Sequence, residues 1–174
     1  MPVKLSKKVC LLGDFAVGKT SLVRRFVHDL FDDKYITTIG VKVSRKTVVV
    51  PSASDVVELT MMLWDLAGCA EFDQVRASYL RGTAGAVLVC DVTRPETLDG
   101  LRSYVDDLLG VSGDAQFVVV ANKIDLIEHQ QIAPADVEAV VERWDVPFFL
   151  TSAKTGEEVQ RLFRHLGRRL LFRG

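Results

Sequence analysis

Residues 13–20 read Gly13-Asp14-Phe15-Ala16-Val17-Gly18-Lys19-Thr20: a glycine, four intervening residues, then Gly-Lys and a hydroxyl. Glycines let a backbone curl until several N–H groups point inward, which is how a loop grips phosphate oxygens. A helix starting at Thr20 and Ser21 would add its positive end to that grip. Lys19 offers a mobile point charge for β- and γ-phosphates, and the Thr20 hydroxyl is a ligand suited to Mg²⁺. Gly13 to Ser21 is therefore the candidate phosphate-binding set. By itself the pattern does not separate GTP hydrolysis from ATP hydrolysis or phosphoryl transfer to a small molecule.

A second constellation bears on that choice. Asn122-Lys123-Ile124-Asp125 follows an apolar run ending at Ala121. A carboxylate there can accept two hydrogen bonds from N1–H and the 2-amino group of guanine. Adenine lacks both donors and would leave the carboxylate unpaired. Asn122 is placed to tie this loop to the phosphate loop, and the Lys123 stem to lie along the base. Thr151-Ser152-Ala153-Lys154 follows the last strand-like run and can offer the Ala153 backbone N–H to the guanine oxygen.

These loops need a frame, and the apolar periodicity supplies one. Val9–Leu12, Ala86–Cys90 and Phe117–Ala121 are short continuous apolar runs, which suit strands covered on both faces of a parallel sheet. Residues 41–50 and 57–64 flank a turn-like Pro-Ser-Ala-Ser-Asp and predict a hairpin. Helical spacing covers about 20–29, 95–110, 134–144 and 156–171, with Pro134 in a first turn and Pro147 stopping a helix before residues 148–150. The order β-α-β-β-α-β-α-β-α-β-α predicts one doubly wound α/β domain over residues 1–174, with ligands at the carboxyl ends of the strands.

The segments GDFAVGKT, TTIGV (37–41), WDLAG (64–68), YLRGTAGAVLVCDVT (79–93), NKID and TSAK stand in one order along the chain. In these segments and their spacing the chain resembles the Ras-superfamily small GTPases, nearest the Rab-like branch, over about residues 6–171. The resemblance implies a P-loop G domain: a six-stranded, mostly parallel sheet with one antiparallel edge strand and five helices. It implies GTP or GDP as ligand with Mg²⁺, and a switch whose effectors, exchange factors and activating proteins read residues near 32–45 and 65–82. Thr38 resembles the threonine that joins Thr20 on Mg²⁺ when GTP is bound. Asp65 and Gly68 resemble the aspartate near the metal and the glycine whose N–H meets the γ-phosphate. Phe31 falls where the family lays an aromatic ring across the guanine. Tyr35, Ser152 and Lys154 complete the implied nucleotide-binding set, while Lys19, Thr38, Gly68 and Cys69 occupy the catalytic positions.

Two residues depart from the family pattern. After Gly68 the family usually carries a glutamine that orients the attacking water; this chain has Cys69, a short side chain and a weak donor. Relatives mostly carry a small residue where this chain has Phe15, whose ring would crowd attacking water and an inserted arginine. Slow intrinsic hydrolysis is expected, unless a partner or Glu71 takes over the water contact. The rival readings are a nucleotide-bound scaffold that does not hydrolyse, and a P-loop kinase for a small molecule.

The bulk numbers fit a soluble switch. A hydrophobic share of 48%, 26% charged residues and a net charge of -1 describe a globular chain with no general pull toward nucleic acid. Cys10, Cys69 and Cys90 form no CxxC pair, so a reducing, cytoplasmic setting is expected. No run approaches the ~18 apolar residues of a membrane span. The last helical pattern sets Val159, Leu162, Phe163, Leu166 and Leu170 on one stripe and Arg161, Arg164, Arg168, Arg169 and Arg173 on the remainder. Rab-like chains usually end in lipidated cysteines and this sequence ends at Gly174 without them, so membrane attachment is expected only through partners or a removed tail.

Overall fold

The computed structural model describes residues 1–34, 37–68 and 70–172, without the side chains of 70–73. Six strands, Val3–Leu12 (β1), Val41–Pro51 (β2), Val56–Leu66 (β3), Gly85–Asp91 (β4), Gln116–Asn122 (β5) and Phe148–Thr151 (β6), form one sheet in the order β2-β3-β1-β4-β5-β6. All neighbours run parallel except β2 and β3, whose antiparallel pairing from Val41↔Leu66 to Pro51↔Val56 makes β2 the one antiparallel edge. The expected hairpin turn is closed by the Ser52 N–H donating to the Asp55 carbonyl at 2.8 Å.

The helices are Lys19–His28 (α1), Ala70–Tyr79 (α2), Pro95–Asp99 (α3), Leu101–Val111 (α4), Pro134–Val141 (α5) and Val159–Leu171 (α6). Gly100, at φ −67° and ψ −17°, joins α3 to α4 through helical backbone, so the two act as one interrupted helix and five helical units flank the sheet. Several boundaries shift from the expected ones for visible reasons. β1 starts at Val3 rather than Val9 because its outer half pairs with β3 alone and stays exposed, so it needs no apolar run. The last helix starts at Val159 rather than 156, since Gly156 and Glu158 hold left-handed backbone at φ 87° and 62°. α5 ends at Val141, and Glu142–Trp144 tightens into a 3₁₀ turn.

The period-2 alternation of the strands builds two cores. Cys10, Leu12, Ala86, Leu88, Cys90, Phe117, Val119 and Ala121 face α4 and α5, whereas Val9, Leu11, Val87, Val89, Val118 and Val120 face α1 and α6. Neighbouring residues on the same strand therefore serve opposite layers, and a purely apolar strand is the only one that satisfies both. Cys10 and Cys90 sit here as small buried hydrophobes, and burial pushes the Cys90 thiol up to about 12. The Phe26 and Phe163 rings stack at 4.0 Å between centroids, fixing α1 against α6.

Candidate functional site

The loops after β1, β3, β4, β5 and β6 all leave the carboxyl edge of the sheet. The connection from β1 feeds α1 on one face and that from β4 feeds α3 on the other, so the chain opens a crevice where they diverge. A cleft of about 340 Å³ lies there, lined among others by Phe15, Gly18, Lys19, Thr38, Gly68 and Asp125.

At one end is the 13–18 loop. Gly18 sits at φ 105°, and a Cβ there would lie 2.3 Å from the Asn122 amide nitrogen, so both the backbone angle and the space demand glycine. Ala16 also holds positive φ, 63°, as a loop does when it folds its N–H groups inward. α1 starts directly behind, at Lys19. The Lys19 ammonium is buried and donates to the Gly13 and Asp14 carbonyls at 2.8 and 2.9 Å, which centres its charge in the loop. Gly68 closes on the same loop from the end of β3. A Cβ at 68 would meet the Gly13 carbonyl oxygen at 2.5 Å and the Phe15 nitrogen at 2.7 Å.

Oxygen ligands converge below the loop. The Thr20 hydroxyl donates to Asp65 Oδ2 at 2.5 Å and lies 2.6 Å from the Thr38 hydroxyl. The carboxyl of Asp65 is pushed up by burial, with Thr20, Lys19, Lys42 and Thr38 opposing that shift. Its Oδ1 is buried with no hydrogen-bond partner. A desolvated carboxylate with a spare oxygen beside two hydroxyls is a donor set suited to a hard divalent cation such as Mg²⁺.

The opposite end is organised by Asn122. Its amide nitrogen donates to the Val17 carbonyl at 3.1 Å, and its Oδ1 accepts from the Thr151 hydroxyl at 3.0 Å and the Ala153 N–H at 3.2 Å. One buried side chain thus ties the phosphate loop to the loops after β5 and β6. The Ala153 N–H, expected to face a base, is engaged by Asn122 in this structure. Lys123, at φ 73°, sends its ammonium to the Ala16 carbonyl at 2.7 Å and to buried Asp91 at 2.8 Å. Asp125 accepts from the Ser152 hydroxyl at 2.7 Å, which orients the carboxylate at the cleft wall. Phe31 lines the cleft and packs on the α1–α6 core.

The chain matches the Ras family model over residues 8–172. The chain belongs to the Ras family. It is accordingly a small GTP-binding switch protein with the GTPase chemistry of that family, whose members bind GTP or GDP and Mg²⁺ and work through regulators and effectors. The P-loop G domain expected from the motifs is the fold observed.

Within this Ras-family frame, Lys19, Thr20, Thr38, Gly68, Asn122, Lys123, Asp125, Ala153 and Lys154 all line the cleft, together with Phe15, Ala16, Gly18, Ser21 and Phe31. Gly13, Asp14 and Val17 stand behind it as loop backbone, and Ser152 as support for Asp125. Tyr35, Cys69 and Arg173, and the side chain of Glu71, lie outside the described residues. Sequence reasoning missed several supports. Thr151 holds Asn122, Asp91 holds Lys123, and Arg25 reaches from α1 to the Ala153 carbonyl at 2.9 Å. Tyr104 of α4 donates to Asp14 at 2.9 Å, and Arg94 donates to the Phe15 carbonyl at 2.7 Å. Thr151 and Asp91 stand inside quoted segments, but each of these contacts acts across more than 25 residues of sequence, so no local signal marked the roles. Among the described residues, no helix is long and apolar enough to cross a membrane.

Proposed function

We propose that this Ras-family chain is a Rab-like GTP/GDP switch in which Asp125 selects guanine, Lys19 holds the β- and γ-phosphates, and intrinsic hydrolysis is slow. The observation that carries this reading is one cleft with a buried ammonium at the phosphate-loop end and a Ser152-oriented carboxylate at the other, joined through Asn122. Thr20, Thr38 and Asp65 would hold Mg²⁺, which neutralises phosphate charge when bound. The chain's own residues set the geometry. The loop backbone N–H groups and the α1 N-terminus bind the phosphates, and Lys123 braces the phosphate loop against the base loop. Thr38 and Gly68 sit where a terminal phosphate and its cation would be gripped. Loss of that phosphate would release the segments near 32–45 and 65–82, the switching behaviour general to Ras-type GTPases. Effector, exchange-factor and activating proteins would read those segments, in a cytoplasmic setting.

Slow turnover rests on two side chains. Cys69 lacks the amide that orients water, and Phe15 lines the cleft with 45% of its surface exposed, where its ring would crowd attacking water and an inserted arginine. Single-turnover hydrolysis should accelerate in Cys69→Gln; an unchanged rate, or a fast wild-type protein, refutes this part. Phe15 also supports a second reading, a nucleotide-bound module that does not hydrolyse. Release of GTP rather than GDP on denaturing freshly purified protein would favour it. Calorimetry in magnesium buffer tests the base assignment, since guanosine nucleotides should bind and adenosine nucleotides should not compete. Effective ATP competition would point instead to a small-molecule kinase.

A further inference from the structure

A second depression lies on α6 and the turn before it, and shares no lining residue with the nucleotide cleft or with segments 32–45 or 65–82. It is an open groove of about 620 Å³ lined among others by Gly156, Glu158, Arg161, Arg164, His165 and Arg168. Arg161 is paired with Glu158 at 3.0 Å but remains 74% exposed. The guanidinium groups of Arg164 and Arg168 are exposed and have no hydrogen-bond or ion-pair partner among the described residues. Burial first, then the charges of Arg169, Arg168 and Arg161, hold the His165 imidazole below its ordinary range, so the local potential is positive.

The charge of the chain is segregated. Residues 159–174 contain five arginines and no acid, so the rest of a chain whose net charge is -1 carries -6. α6 spends its apolar side on the core, with Val159, Leu162, Phe163 and Leu166 fully buried. No apolar residue lines the groove, so it has nothing to insert into lipid and no aromatic on which a base could stack. A long polyanion or a broad anionic membrane would meet the groove's attraction together with repulsion from the acidic remainder. A short anionic segment meets the groove alone. Arg161, Arg164 and Arg168 fall on one face, roughly 4.5 and 6 Å apart along the axis at 1.5 Å per residue. Carboxylates on one side of an extended peptide repeat at about 6.6 Å, close enough for flexible guanidiniums to pair with successive ones. A row of this kind fits a linear ligand better than one compact phosphate, which would need arginines converging on a point.

We propose that the α6 groove is a docking site for an acidic, extended segment of a partner protein, bound through Arg161, Arg164 and Arg168. The test uses the full chain loaded with GDP and a fluorescein-labelled peptide of alternating Glu and Ser, with the Gln-Ser analogue as control. Anisotropy should show saturable binding of the Glu-Ser peptide that weakens as salt rises, and none of the Gln-Ser peptide. The double substitution Arg164→Glu with Arg168→Glu should weaken binding by about tenfold or more, since two attractions become repulsions. Because both side chains are exposed and unpartnered, nucleotide affinity should be unchanged, which separates this proposal from the reading of the cleft. Absence of saturable binding, or equal binding by the double variant, overturns the proposal. So does Arg164/Arg168-dependent capture of phosphatidylserine vesicles or single-stranded DNA in preference to the peptide.

Discussion

At the scale of single residues, the cleft depends on side chains that hold other side chains. Asp125 needs Ser152 to fix its rotamer, and Asn122 needs Thr151 to aim its amide. A hydrogen bond to a charged group contributes about 1.5–3 kcal/mol. On the proposed reading, replacing Asp125 by Ala removes the acceptor for two guanine donors and should weaken guanosine-nucleotide affinity by about two orders of magnitude or more, read by calorimetry. Ser152→Ala leaves the carboxylate in place but unsteered, so a loss of roughly tenfold is expected. A Ser152→Ala loss equal to that of Asp125→Ala would show that the hydroxyl does more than steer the carboxylate. The motif residues were legible from the sequence because their spacing is local. Ser152 was legible only as part of TSAK, and its pairing with Asp125 was not, since the two loops follow different strands. Asp91 and Tyr104 were invisible for the same reason: each is an ordinary residue until the fold sets Lys123 or Asp14 beside it.

At the scale of elements, the phosphate loop is held by what packs around it. α1 carries Lys19 and Thr20 at its first turn and is fixed against α6 by the Phe26–Phe163 stack. Stacked aromatic pairs contribute about 0.5–1.5 kcal/mol beyond burial. Phe163→Ala should destabilise the chain by about 3–5 kcal/mol in chemical denaturation, through lost burial and a cavity under α1. Nucleotide should stabilise the variant by about as much as the wild-type protein when added at the same multiple of each one's Kd. An unchanged unfolding midpoint would mean that α1 is anchored by its strand contacts alone. The strands and the one hairpin followed from apolar runs and the turn between residues 50 and 57, because both are local signals. The start of the last helix did not, because Gly156 and Glu158 turn left-handed only where α6 meets the loop after β6.

Across the whole molecule, charge is distributed unevenly while its sum stays near neutrality. The arginines of α6 face the half-buried His165, whose imidazole also packs edge-on to Phe149 at 5.6 Å. A base whose folded pKa is lowered binds fewer protons in the folded chain than in the unfolded one just below its ordinary value of 6.5. The stability it contributes is therefore present at neutral pH and is lost as pH falls through that value and below. Thermal unfolding of His165→Gln should show a shallower decline between about pH 7 and pH 5 than the wild-type protein. Parallel curves would mean that the imidazole protonates as freely in the folded chain as in water.

What the order of residues determined alone was the Ras-family scaffold and its two recognition loops. A loop that cradles phosphate, a carboxylate after a buried strand and strands apolar on both faces are properties of short windows, and short windows are what a sequence displays directly. Tertiary structure alone decided which distant groups complete them. Asn122 closes on Val17 and Ala153, Asp91 on Lys123, and Gly68 on the backbone of residues 13–15, because the parallel sheet brings all its carboxyl ends to one edge. The same packing turned the arginines of α6 outward around a groove, by consuming the helix's apolar side in the core.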